Sequence, residues 1–188
     1  MAELLHRAFP ADLIVRADQR TIVGLAVPWG EVVEVRDGPG GPAYRESFQQ
    51  GAFTRTLAER GDRVKALVQH NRQLLPVGRA TRLTETGRGL EVELRLSRTA
   101  LADEVLALVA DGALDSLSIG FVPVTGGDQW NRSRDTVTRT EVALREVSVV
   151  PDGAYPGARI EALRSANPPL SVELARARLT FALLRRTP

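Results

Sequence analysis

At 188 residues, with 43% hydrophobic and 26% charged residues, the chain has the size and composition of one globular domain. Its net charge is only +2, and few groups titrate near neutrality, so a pI of about 9.6 does not indicate a nucleic-acid partner. The lack of cysteine excludes disulfides, cysteine nucleophiles and thiolate metal sites. No apolar run approaches the ~20 residues of a membrane span, and the first residues lack a signal-peptide layout, so we expect a cytosolic protein.

Short strands broken by turns are predicted for the first part of the chain. The turn Asp18-Gln19-Arg20 separates two β-branched segments, and the Gly- and Pro-rich residues 36–42 form a loop. Phe53 and Leu57 lie four residues apart, which indicates a helical face within residues 51–60. The strands predicted here cover residues 12–16, 21–29, 64–69 and 76–83.

The second part combines strands with a helix. Residues 89–96 alternate between leucine or valine and charged residues, which is typical of a half-buried strand. Residues 101–109 are predicted to be a helix with Leu101, Val105 and Leu108 on its apolar stripe, capped by Thr99 or Ser97 and ended by Gly112. Further predictions are a strand at 114–124, a loop or hairpin tip at 126–134, a long strand at 136–150 with a break near Leu144, and a helix at 170–186. The pattern predicts an α+β domain with a largely antiparallel, barrel-like sheet.

The sequence contains only two histidines, so few residues could act as a general base or as an imidazole ligand of a metal. His6 lies near the N-terminus, where we expect a frayed segment without a role. His70 ends an apolar run and begins a loop, a position where a scaffold holds a side chain rigidly and accessibly. One imidazole without an acidic pair at ligand spacing argues against a metal site, and no cofactor motif is present. Hydrolytic chemistry would therefore need a serine or threonine nucleophile, with His70 as its base.

Ser118 is the best candidate nucleophile. In a strand, Ser116, Ser118 and Gly120 share one face, while Leu117, Ile119 and Phe121 would occupy the other. The alternative is a polar face that simply meets solvent. Because Ser116 stands where a nucleophile elbow requires glycine, an α/β-hydrolase is disfavoured.

Glu146 is the candidate third member of a catalytic triad. It interrupts an otherwise buried-looking strand, where an unpaired carboxylate would be costly, so a partner is implied. The alternative is an edge-strand glutamate facing water. Arg145 points to the opposite face of such a strand.

Several segments together resemble the prohead protease family of HK97-type tailed phages. They occur in the family's order over residues 21–160, and no single one is specific alone. They are Gly24-Leu-Ala-Val-Pro-Trp-Gly30, Glu46-Ser-Phe-Gln-Gln-Gly-Ala-Phe53, Gln69-His-Asn71, Pro76-Val-Gly78, Gly89-Leu-Glu-Val-Glu93, Gly112-Ala-Leu-Asp-Ser-Leu-Ser-Ile-Gly-Phe121 and Arg145-Glu-Val-Ser-Val-Val150.

The resemblance implies a herpesvirus-assemblin-like fold, a barrel of mostly antiparallel strands surrounded by helices. It also implies Ser118 as nucleophile, His70 as base and Glu146 in place of the assemblins' second histidine. The family's loop after this strand differs here, because Pro151 lacks an amide hydrogen and leaves Asp152 or Gly153 as oxyanion donors. Arg159 matches the family pattern.

The implied function is a serine endopeptidase that matures phage capsids. It would cleave the scaffolding region of the major capsid protein, and itself, inside the assembling prohead in the host cytoplasm, without cofactor, metal, nucleic acid or membrane. A homodimer is left open. We expect a protease domain at residues 1–165 and a C-terminal helical tail at 166–188. The rival interpretation is a non-catalytic capsid scaffold or assembly chaperone on the same fold, with the arginine-bearing terminal helix as its docking element.

Overall fold

The computed structural model describes residues 3–38 and 40–151. Two α-helices occur among these residues, α1 at Thr54–Arg60 and α2 at Ala100–Asp111. The strands are β1 Leu5–Pro10, β2 Ile14–Arg16, β3 Thr21–Pro28, β4 Val33–Arg36, β5 Ala43–Phe48, β6 Lys65–Val68, β7 Gly78–Glu85, β8 Gly89–Leu96, β9 Ser116–Pro123, β10 Asp128–Trp130, β11 Thr136–Arg139 and β12 Val142–Val150.

The strands form two sheets. The larger has eight strands in the order β1-β9-β12-β6-β7-β8-β3-β2, and the smaller has the order β10-β11-β5-β4. All neighbouring pairs are antiparallel except β12 with β6 and β11 with β5. The larger sheet curls into a half-barrel, which brings β3 close to β9 although four strands lie between them in the sheet order. A Cβ on Gly24 of β3 would lie 3.1 Å from the side chain of Leu117 of β9.

The core lies on the concave face of the larger sheet. Strand alternation directs one set of side chains there, including Leu117 and Ile119 of β9, both fully buried. Phe48 of the smaller sheet meets Phe121 edge-on at 5.3 Å between ring centroids, so the two sheets share one core. The opposite, convex face of β9 and β12 is therefore free to carry polar side chains.

An ion cluster is buried where the two sheets meet. Glu46 of β5 is fully buried and binds the guanidinium groups of Arg7 and Arg139. Burial alone would lower the pKa of Arg7, but the Glu46 carboxylate more than offsets this and keeps the pKa above its usual range. Arg7 lies in β1, so this cluster anchors β1, and through it β9, to the smaller sheet.

Helix α2 confirms the predicted caps and corrects the predicted apolar stripe. The Thr99 hydroxyl accepts a hydrogen bond from the Ala102 N–H, and Gly112 ends the helix with φ +85°, a conformation that suits glycine. The buried side is formed by Ala102, Val105 and Val109. Leu108, which was expected in the stripe, is 41% exposed.

Other predictions from the sequence need correction. The α+β class overstated the helices, because the described residues are mostly β and contain only α1 and α2. The expected single strand over 136–150 is two strands, β11 and β12, which belong to different sheets and are separated by residues 140–141. The break expected near Leu144 is only a register shift within β12. Residues 126–134, predicted to be a loop or hairpin tip, contain β10, which pairs antiparallel with β11, so the segment is part of a hairpin. The predicted domain boundary at 165 and the helix at 170–186 lie outside the described residues.

Candidate active site

Ser118 lies in the middle of β9, on the convex face of the larger sheet. Its neighbours across the strands are Ala8 of β1 and Ser148 of β12. The face was predicted correctly, since Leu117 and Ile119 point into the core. However, Ser118 is only 1% exposed, so the polar face is covered and does not simply meet solvent.

His70 covers this serine from the turn that follows β6. Gln69 and His70 both adopt left-handed backbone conformations, with φ of 50° and 56°. Such conformations are uncommon for residues other than glycine and cost free energy unless neighbouring contacts hold them. The His70 N–H donates to the Ser148 hydroxyl at 3.1 Å, and the Gln69 N–H donates to the Val149 carbonyl at 3.1 Å. The turn is therefore fixed against β12, with the imidazole directed over β9.

The imidazole of His70 joins a hydroxyl to a carboxylate. Its Nε2 lies 2.6 Å from Ser118 Oγ, and its Nδ1 lies 2.6 Å from Glu146 Oε1. An ionised carboxylate can only accept, so Nδ1 carries the hydrogen in this pair. The Nε2 lone pair is then left to accept the Ser118 hydroxyl proton, which is the tautomer that a general base requires.

Glu146 is buried but fully partnered. It is 3% exposed; Oε1 faces His70, and Oε2 accepts a 2.7 Å hydrogen bond from the Ser148 hydroxyl. Ser148 thus contacts both Glu146 and the His70 backbone, so it fixes their relative positions. A buried carboxylate whose oxygens are both paired avoids the desolvation cost of an isolated charge.

These three side chains have the geometry of nucleophile, base and orienting acid. The distances lie within hydrogen-bond reach, and a third group orients the base, which is the arrangement needed to activate a hydroxyl for acyl transfer.

A model of the caudovirus prohead serine protease family matches residues 11–170, which is most of the chain. The chain belongs to this family. Its members are phage proteases of capsid maturation, as the segment pattern in the sequence had indicated.

The fold is also similar to a solved structure, the capsid assembly protease gp21 of bacteriophage T4. The TM-score is 0.54 at 9% sequence identity, and the match covers 79% of this chain and 97% of the other. At that identity the similarity concerns the fold alone. No curated protein matches the chain.

The structure brings together Ser118, His70 and Glu146, the three residues singled out in the sequence, although they lie on three separate segments. Arg145 is exposed, because it lies at the register shift between Leu144 and Glu146 and does not enter the core. The expected oxyanion donors, Asp152 and Gly153, lie outside the described residues, and so does Arg159.

His6 belongs to the site, so the expectation of a frayed segment was wrong. It lies in β1, opposite Gly120 of β9, and its ring stacks on that of His70 with centroids 3.9 Å apart and planes 21° apart. Partial burial lowers the pKa of His6, and neighbouring His70 lowers it further, against the opposing effect of Glu146. At neutral pH a neutral ring therefore covers one face of His70.

Three side chains of the candidate site carry the kinds of atom that bind metal ions in proteins. His6, His70 and Glu146 each offer a ligand atom, and these atoms lie within 4.8 Å of one another. Two imidazoles and a carboxylate are a donor set that Zn²⁺ takes. However, the lone pair of an imidazole nitrogen lies in the plane of its ring. Two stacked rings therefore direct their lone pairs in nearly parallel planes and not toward one point. One ring would have to turn before both could bind the same ion.

Ser148, His6 and Gly120 are parts of the site that the sequence did not reveal. A Cβ on Gly120 would lie 2.2 Å from Glu146 Oε1, so this glycine leaves the space that the carboxylate occupies. A glycine inside a strand is a recognised sign of close approach, and it was the one available signal. Ser148 and His6 are ordinary strand residues whose roles depend on strand register.

Proposed function

We propose that this chain is a serine endopeptidase of capsid maturation, with Ser118 as nucleophile, His70 as general base and Glu146 as the orienting acid. The observation that carries the proposal is the His70 imidazole, which lies 2.6 Å from both the Ser118 hydroxyl and the Glu146 carboxylate. Membership in a prohead serine protease family supports the same reaction.

In the proposed mechanism His70 Nε2 takes the Ser118 proton while Oγ attacks the scissile carbonyl carbon. The resulting imidazolium, paired with Glu146, then gives its proton to the leaving amine, and an acyl-enzyme forms at Ser118. Water, deprotonated by His70, attacks that ester and releases the carboxylic acid and the free serine. Asp152 and Gly153 remain the proposed backbone donors to the oxyanion.

The proposed substrates are the scaffolding region of the major capsid protein and the protease itself, cleaved inside the assembling prohead. The T4 structure similar to this fold is described as a capsid assembly protease, which supports a capsid substrate. We also propose a herpesvirus-assemblin-like site, in which Glu146 takes the place of the second histidine. Glu146 lies on the strand that the resemblance indicated, beside the nucleophile strand.

The rival function is a capsid scaffold or assembly chaperone without catalysis. Such a protein would not need a buried carboxylate, an imidazole and a hydroxyl in hydrogen-bonded order. Nor would it need two consecutive left-handed residues to hold the imidazole. These features favour the enzyme.

The test is co-expression with the major capsid protein of the same phage, followed by mass spectrometry of the capsid protein's termini. We expect shortened capsid protein with the wild-type chain and full-length protein with Ser118→Ala. Ser116→Ala is the matched control, since Ser116 lies on the same face of β9 and should leave processing unchanged. Equal processing by Ser118→Ala would eliminate the proposed nucleophile; shells that form without any processing would favour the scaffold.

Gly120→Ala is expected to impair the site while leaving the fold in place. The new methyl group would overlap Glu146 Oε1, so the carboxylate must leave its position against His70. We expect kcat/KM for a cleaved peptide to fall about 100-fold, because a misplacement of about 1 Å in a catalytic constellation has costs of this order. Gly61→Ala is the control, because a Cβ there meets open space. Activity within a few-fold of wild type in Gly120→Ala would show that Glu146 does not orient His70.

A further inference from the structure

A row of basic residues crosses the larger sheet next to the candidate active site. Lys65 of β6 lies opposite Arg79 of β7, and Arg79 lies opposite Arg95 of β8. Directly paired residues in a sheet project on the same face, so three positive charges stand side by side on adjacent strands. All three residues are exposed. We refer to Lys65, Arg79 and Arg95 as the basic row.

The charges of the basic row are unbalanced within the part of the chain that the structure describes. No ion pair or side-chain hydrogen bond there involves any of the three. The nearest carboxylate along β8, Glu93, instead lies 3.3 Å from Arg16. Like charges directly opposite each other destabilise a sheet. The sheet thus carries an electrostatic cost that an anionic partner would remove.

The row is continuous with the candidate site. Lys65 lies opposite Glu146 across the β12–β6 pair, so the basic row and the catalytic side chains share the convex face. Glu146 does not neutralise Lys65, because its oxygens face His70 and Ser148. All three basic residues also line a cleft of about 440 Å³.

We propose that the basic row is a subsite for an acidic stretch of the substrate polypeptide, bound in extended form; the assignment of that stretch to a substrate rests on the proposed proteolysis. Lys65 lies two strands from Ser118 and Arg95 lies four strands away. At a strand spacing of about 4.8 Å these separations are about 10 and 19 Å. An extended chain advances about 3.3 Å per residue, so the acidic side chains lie about three to six residues from the scissile bond.

A peptide is favoured over a nucleic acid as the anionic ligand. The chain's net charge is only +2, and none of the described residues that line the cleft with the basic row is aromatic, so a base has no side chain there on which to stack. Its direct continuity with a site that would cleave polypeptide argues for a segment of the same polypeptide.

The test measures binding in the Ser118→Ala background, where no cleavage interferes. The probe is a short fluorescein-labelled peptide of alternating glutamate and serine, followed by anisotropy at low salt. Its control is the same peptide with glutamine in place of glutamate. The row variant combines Lys65→Gln, Arg79→Gln and Arg95→Gln. The control variant removes the same charge at exposed arginines outside the row, through Arg36→Gln, Arg88→Gln and Arg132→Gln.

We expect the row variant to bind the glutamate peptide about ten-fold more weakly than the control variant, since three exposed ion pairs are lost. The difference should shrink as salt is raised, and thermal unfolding should show the row variant folded, with an unchanged or higher Tm. Equal affinity of the two variants, no preference for glutamate over glutamine, or binding of a single-stranded oligonucleotide in place of the peptide would each overturn the proposal. Because binding is read without catalysis, this outcome is independent of whether capsid protein is processed.

Discussion

Ser118→Ala is expected to reduce peptide hydrolysis by about 10⁶-fold, to the level of background, while the free energy of unfolding stays close to wild type. The substitution removes the attacking oxygen, and what remains is substrate binding without covalent chemistry. The Ser118 hydroxyl is one small group on an already buried strand, so its loss leaves no large cavity.

A fluorophosphonate probe tests the reactivity of the Ser118 hydroxyl, and its use does not require the substrate to be known. Ser118 Oγ should displace fluoride and form a phosphonyl ester while His70 takes its proton, and mass spectrometry should locate the adduct on Ser118. His70→Ala should abolish labelling nearly as completely, and the double variant should be no worse than either single one, because the two groups act as a unit. Ser116→Ala should label at the wild-type rate.

Two results would contradict this prediction. Labelling that persists in Ser118→Ala would place the reactive nucleophile elsewhere in the chain. Labelling of Ser118 that persists at the wild-type rate in His70→Ala would show that His70, despite lying 2.6 Å away, is not its base.

Glu46→Leu is expected to lower the free energy of unfolding by about 3–5 kcal/mol, the largest stability effect that we predict. Glu46 is fully buried between Arg7 and Arg139, and its removal leaves two buried guanidinium groups without that carboxylate. Breaking a buried pair by removing one partner costs this much because the remaining charge stays desolvated. Urea unfolding followed by circular dichroism measures the difference.

Glu59→Ala is the matched control. This substitution also removes a glutamate that pairs with an arginine. However, the Arg55–Glu59 pair lies on the surface, where the two side chains are 64% and 60% exposed. Such pairs contribute about 0.5 kcal/mol or less. A second variant, Glu46→Leu with Arg7→Met, should recover part of the loss. It removes one of the two buried guanidinium groups that lose the Glu46 carboxylate and keep only a partly exposed carboxylate partner, Asp37 for Arg7 and Asp128 for Arg139. Equal small losses for Glu46→Leu and Glu59→Ala would show that the buried cluster does not hold the sheets together.

Much of the local structure follows from residue patterns alone. Strand β8 was predicted with its observed bounds because its alternation is strict and its turn residues are clear. The caps of α2 were predicted because Thr99 and Gly112 act within one turn of the helix. Of the predicted apolar stripe, Val105 is buried and Leu101 packs against the core, but Leu108 is exposed, since the packing partner decides which side of a helix is buried.

The division into two sheets could not be predicted. Residues 136–150 form one continuous β-like pattern, but the chain turns at Thr140, whose N–H donates to the Gly127 carbonyl at 2.7 Å. A Cβ on Gly127 would lie 2.2 Å from the Glu141 carbonyl oxygen, so the approach depends on glycine. Contacts of this kind arise from the path of the chain, which a local pattern does not contain.

The sequence by itself determined which residue types could form the candidate site, because it contains no cysteine and only two histidines, and it determined the family through the order of its short segments. Only the tertiary structure decided how those residues meet. Antiparallel register places Ser148 beside Ser118 and His6 beside Gly120, and a shift of one residue in either pairing would turn those side chains to the other face. Register depends on partners far apart in the chain, and so does the pairing of Lys65, Arg79 and Arg95 into one basic row.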